Sequence, residues 1–154
     1  MPATNAEARP AMQHSPHPPQ PPRALLNLGA VPTAPRCARA WARAVLTEWG
    51  LAGLSDAGEL VVSELATNAL LASLCEGAPF FRLILIAAQG ELGVLVRDFC
   101  PGIPQPRDAA GEDENGRGLH LVQAVSSRWG WYPADDGTPG KVVWAALPWT
   151  GRLP

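Results

Sequence analysis

Lysine is almost missing from this chain. Eleven of its twelve basic residues are arginine, and Lys141 stands alone. A basic excess is missing as well: fourteen acidic residues leave a net charge of −2. No basic surface therefore invites nucleic acid. Paired cysteines are absent. Cys37, Cys75 and Cys100 are odd in number and form no C-x-x-C, so neither a disulfide framework nor a zinc site is suggested. No apolar run reaches the roughly 18 residues of a membrane span, and the N-terminus lacks the apolar core of a signal peptide. These absences predict a soluble, cytoplasmic protein with no direct nucleic-acid or membrane partner. With 154 residues, 47% of them apolar, one domain with its own core is expected.

Proline is abundant, and much of it sits at one end. Pro16 to Pro22 holds five prolines in seven residues. Proline cannot sit in a packed helix or a central strand. Residues 1–23 are accordingly predicted as a disordered or polyproline-like tail, either passive or a ligand for a partner domain. Residues 24–150 are predicted as the folded domain.

The chain after the tail reads as alternating elements. Ala24 to Ala30 is a short strand. A helix runs from Pro35 to Trp49, with Thr33 as a candidate cap, Gly50 as its stop, and Cys37, Trp41, Ala44, Val45 and Trp49 as its apolar face. Ser55 caps a second helix reaching about Ser73. Phe80–Ala88 and Glu91–Asp98 form a hairpin about Gln89-Gly90. A long proline- and acid-bearing segment, Phe99 to Asn115, follows. Leu119 to Arg128 is an amphipathic helix, and Trp129–Ala134 with Lys141–Leu147 makes a terminal hairpin. Hairpins argue for a mostly antiparallel sheet with helices on one face, an α+β two-layer sandwich.

Three polar features stand out against this apolar pattern. Glu64 and Asn68 lie four residues apart on the second helix, which stacks them on one face. Burying both without partners would be costly, so they face solvent or line a cleft. Alternation puts Asp98 on the face of Leu92, Val94 and Val96, an acid aimed at the core. Gly116-Arg117-Gly118 precedes a helix, where free N–H groups and the helix dipole favour a phosphate. Asn68's carbonyl suits a hard cation such as Mg²⁺, and a carboxylate one turn away can take a proton from a nucleophile.

Glu64-Leu-Ala-Thr-Asn68, Asp98-Phe-Cys-Pro-Gly102 and Gly116-Arg-Gly-Leu119 together resemble the N box and two glycine boxes of the gyrase, MutL and histidine-kinase (GHKL) ATPase superfamily. Within it, the chain is most similar to anti-sigma factor serine kinases. Gly140-Lys-Val-Val-Trp-Ala145 resembles their last strand. The resemblance spans about Leu25 to Pro148 and implies a Bergerat-type ATP-binding fold using ATP and Mg²⁺. It implies Glu64 as general base, Asn68 as the magnesium ligand and Asp98 as the acceptor of the adenine amino group. Gly102 would let the loop pass the base. Gly116, Arg117, Gly118 and Leu119 would belong to the phosphate cradle, with Phe99 to Asn115 as the lid. The implied activity is a serine/threonine protein kinase that phosphorylates an antagonist protein, binds a sigma factor or both, and regulates transcription, with a homodimer as one assembly open to it. The alternative is a nucleotide-gated binding module with little turnover. Four positions depart from the family pattern. Cys100 stands at the first glycine of its box, Leu71 and Ala72 replace a basic residue and a histidine, and Val142 stands where a threonine is common.

Overall fold

The computed structural model describes residues 18–102 and 118–151. Five strands form one sheet: β1 (Arg23–Gly29), β2 (Phe80–Ala88), β3 (Glu91–Asp98), β4 (Arg128–Pro133) and β5 (Lys141–Pro148). Their spatial order is β1-β2-β3-β5-β4, and all four pairings are antiparallel. The helices are α1 (Ala34–Glu48), α2 (Ser55–Glu76) and α3 (Gly118–Val125). This is the expected α+β architecture of a five-stranded open sheet with three helices.

Period-two patterning decides which face the helices cover. Phe81, Leu83, Leu85 and Ala87 of β2 are fully buried, and so are Leu92 and Val94 of β3. Val143, Ala145 and Leu147 continue that face on β5. Side chains two apart share one face, so this wall is continuous. Each such large side chain contributes on the order of 1.5–3 kcal/mol by leaving water. The hairpin turn joining β2 to β3 has positive φ at both Gln89 and Gly90, the geometry that matches strand twist in a two-residue loop.

Helix α2 is the layer against that wall. It buries Val61, Val62, Leu65, Ala66, Ala69 and Leu70, on turns spaced three and four apart. With the turn before it, α2 is long and apolar enough by composition to cross a bilayer. Packing against α1, β2 and β3 uses that apolarity instead. Ser55 is not its cap. Leu54 holds the cap position, and no side chain bonds the helix end. The 3-10 turn Ala52–Leu54 feeds directly into α2, so the chain enters already coiled. Gly77 ends α2 in the left-handed conformation, at φ 68°.

The buried stripe of α1 also differs from expectation. It is Ala34, Ala38, Ala42, Val45 and Leu46. Cys37 is exposed, Ala44 is exposed, and Trp41 and Trp49 pack only at the margin. Alanines at i, i+4 and i+8 let α1 lie close against α2; larger side chains would hold the two helices apart.

Candidate functional site

Glu64 and Asn68 share a half-buried stripe of α2, with the fully buried positions to either side. Glu64 points at the start of α3. A Cβ on Gly118 would collide with Glu64 Oε2 and stand 3.4 Å from its Cδ. Only a glycine lets the first turn of α3 meet the carboxylate this closely. Burial pushes the Glu64 carboxyl above its ordinary pKa, because desolvation penalises the charged form. Leu119 and Val122 anchor α3 in the core. His120 is exposed.

Asp98 sits at the end of β3 on the helix-covered face and is 3% exposed. It is not left unpaired. Its Oδ2 lies 3.0 Å from Lys141 Nζ. Its Oδ1 accepts from Lys141 Nζ at 3.1 Å and from the Cys100 N–H at 3.0 Å. Lys141 is itself buried, and its Nζ reaches the Cys100 carbonyl at 3.5 Å. An ionised carboxylate offers about four acceptor positions. These three contacts leave room for one further donor.

The register supplies a correction. In β5 it is Lys141 that pairs with Asp98, whereas Val142 pairs with Arg97 and Tyr132. Directly paired residues share a face, so Val142 lies on the side of the sheet away from Asp98. Lys141 and Val143 are the β5 neighbours on Asp98's face. Sequence reasoning missed Lys141 as a site residue. The available signal was a lone lysine opening an otherwise apolar strand.

Arg97, Phe99 and Asp136 fix the β3 end from outside the Asp98–Lys141 pair. Arg97 Nη1 donates to the Asp98 carbonyl at 2.7 Å, and Nη2 donates to Asp136 at 2.8 Å. The Arg97 guanidinium stands 3.9 Å over the Phe99 ring, which meets Phe80 at 4.7 Å. Thr138 and Arg97 hold the Asp136 carboxyl down at about 2. Gly140, at φ 138°, lies so close that a Cβ would collide with the Asp98 carbonyl and come within 2.9 Å of Phe99 Cα. The β4–β5 loop is thereby bolted to the strand end that carries Asp98. Cys100 is buried against this cluster, and its thiol is raised chiefly by desolvation and then by the Asp98 charge. Gly102 has φ 115° with open space around it, a backbone only glycine adopts without strain.

The structure thus brings Glu64, Asn68 and Gly118 to one wall and places Asp98 at the end of β3, in the strand that α2 packs against. Gly116 and Arg117 fall outside the described residues, as does the lid expected over Phe99 to Asn115 beyond Gly102. Among the described residues no three His, Cys, Asp or Glu side chains cluster to hold a metal unaided. A lone amide carbonyl such as Asn68 fits a cation whose other ligands are phosphate oxygens and water. The glycine-lined start of α3 and the spare acceptor position on Asp98 fit a nucleotide.

A search of curated proteins finds no relative. The model of one family, described as the histidine kinase-like ATPase domain, matches residues 28–146. That match takes in α1, α2, the β2–β3 hairpin and nearly all of β5. By this match and by its fold, the chain belongs to the family of histidine kinase-like ATPase domains and is a nucleotide-binding protein.

Proposed function

We propose that the protein is an anti-sigma-type serine/threonine protein kinase that uses ATP and Mg²⁺ to phosphorylate a small antagonist protein. One observation carries this reading. The Glu64 carboxylate is half-buried, raised in pKa and held against the first residue of α3, one helical turn from Asn68. Bound ATP would supply the phosphoryl group, and Mg²⁺ would offset phosphate charge. Asn68 would hold the metal, Asp98 would accept from the adenine amino group, and Gly118 would open the α3 terminus to phosphate. Glu64 would take the proton of the attacking serine as the new O–P bond forms and ADP departs. A base with a raised pKa is better matched to that task. Such transfer depends mainly on positioning and charge neutralisation. In this reading the protein works in the cytoplasm and regulates transcription through its protein partners, a sigma factor among them.

A second reading has its own observations. Leu71 and Ala72 give the turn after Asn68 no basic side chain, and Lys141 already occupies Asp98. These favour a nucleotide-gated binding module with little turnover. Incubation with γ-labelled ATP and candidate antagonist proteins separates the two. The kinase reading expects label on a serine or threonine, and its loss in Glu64→Gln. Absence of label with tight ATP binding by calorimetry supports the module. Absence of both label and binding sinks both readings.

A further inference from the structure

Lys141 is the only lysine beside eleven arginines, and it stands beside Asp98, where the proposed function puts the base. The fold leaves its backbone little freedom. It opens β5 between Asp98 on one side and Pro133 on the other. It follows Gly140, which is packed against the Asp98 carbonyl and Phe99 Cα. Lys141 is 7% exposed and Asp98 3%. An ion pair this dry contributes little net stability, because desolvation of both charges opposes their attraction. A well-packed apolar pair would serve the fold as well, so the two charges point to a ligand.

The hydrogens on Nζ show what kind. An ammonium has three donors and no acceptor. Asp98 meets it with both oxygens, Oδ1 at 3.1 Å and Oδ2 at 3.0 Å. Among the described residues its other partner is the Cys100 carbonyl, at 3.5 Å, the far limit of a hydrogen bond. One N–H is therefore weakly engaged. Arginine would not do here: its rigid fork of five donors would leave more hydrogens unanswered in the same space.

Asp98 presents the complement. Oδ1 accepts from Lys141 and from the Cys100 N–H, which fills its two lone pairs. Among the described residues Oδ2 meets Lys141 alone and keeps one. The pair thus offers one acceptor and one donor on atoms 3.0 Å apart. Adenine carries the reverse on neighbouring atoms of one edge, a donating N6 amino group and an accepting N1. Guanine matches less well. Its N1–H and N2 amino group are adjacent donors, and one free lone pair leaves one of them buried and unpaired, which is costly.

We propose that Lys141 is a specificity-determining residue for the base, its third N–H donating to adenine N1 while Asp98 Oδ2 accepts from the N6 amino group. The ion pair stays intact in the complex, because the base uses only the donor and the acceptor that the pair leaves spare. Both are already oriented, which lowers the cost of binding. This rests on the nucleotide-binding reading and not on phosphoryl transfer.

Because the chain has one lysine, labelling with ¹⁵N-lysine gives a single side-chain Nζ signal. The full chain is titrated with Mg²⁺ and ADP, 1-deaza-ADP or GDP, followed by calorimetry and by that signal. Diphosphates keep turnover out of the measurement. ADP should shift the Nζ signal. The 1-deaza analogue keeps the amino group but carries C–H in place of N1. It should bind at least about tenfold more weakly, since a charged donor is left unpaired, and should shift the signal less. GDP should bind more weakly than ADP. Lys141→Met should bind ADP and 1-deaza-ADP equally; if that variant does not fold, the full-chain titrations decide alone. Equal affinity of the full chain for ADP and 1-deaza-ADP would overturn the proposal and leave the nucleotide site standing. So would an Nζ signal unmoved at saturating ADP, or GDP bound as tightly as ADP. Binding of none of the three would overturn the nucleotide reading and the proposal with it.

Discussion

Two acids of the site meet burial in opposite ways, and each predicts a different response to its loss. Glu64 carries a raised pKa from burial. A carboxyl raised on folding adds stability below its unfolded pKa and loses it as pH climbs through the raised value. At neutral pH its charge is therefore a cost. Glu64→Gln should melt higher than the parent chain at pH 7, with the gap closing near pH 4. Thermal melts across that range check this, and a lower melting temperature at pH 7 would reveal a stabilising partner for the carboxylate. Asp98 is the reverse case, a buried acid answered by Lys141. Removing one member of such a pair leaves the other charged and dry, at about 3–5 kcal/mol. Lys141→Met should lose that much in urea unfolding, and Asp98→Asn less, because the amide can still accept from the remaining ammonium.

Between elements, two glycines mark close approaches of different kinds, and their substitutions should separate stability from chemistry. At Gly140 the neighbours are backbone atoms of Asp98 and Phe99, and φ is 138°. Neither can yield, so Gly140→Ala should destabilise by about 1–3 kcal/mol. At Gly118 the clash is with the end of the Glu64 side chain, which can swing aside. Alanine is also a better helix residue by about 1 kcal/mol. Gly118→Ala should thus keep the stability and, under the proposed kinase function, lose the phosphoryl transfer, read by urea unfolding beside a label-transfer assay. Neither contact was legible in the sequence, where Gly118 reads as a phosphate-site glycine before a helix and Gly140 as the start of a last-strand motif. What was legible followed from periodicity and turn chemistry: the β2–β3 hairpin, the terminal hairpin about Gly140, and Asp98 on the core face. The stripe of α1 differs because the expectation favours its large residues, Trp41 and Trp49, while helix packing selects Ala34, Ala38 and Ala42. The Lys141 partnership escaped because strand order, with β5 beside β3, is a tertiary fact. Once that order is known, pairing register alone puts Lys141 opposite Asp98 and sends Val142 to the other side.

At the scale of the molecule, the site draws on parts far apart in the chain that meet through one helix. Helix α2 carries Glu64 and Asn68, touches α3 on one side and packs on the strand that ends in Asp98 on the other. A nucleotide bridging Asp98 and the α3 terminus would tie both sides of α2 together. Ligand that binds only the folded state adds about 2.7 kcal/mol at a hundredfold excess over Kd. For a domain of this size that raises Tm by roughly 5–11 °C. ATP with Mg²⁺ should produce such a rise in the parent chain and in Glu64→Gln, since a general base, the role proposed for Glu64, serves transfer and not binding. Asp98→Asn should lose most of it, because the amide no longer offers the adenine amino group a charged acceptor. Equal rises in all three proteins would remove Asp98 from the base-binding role, and a rise lost in Glu64→Gln alone would make that carboxylate a ligand for the nucleotide's metal.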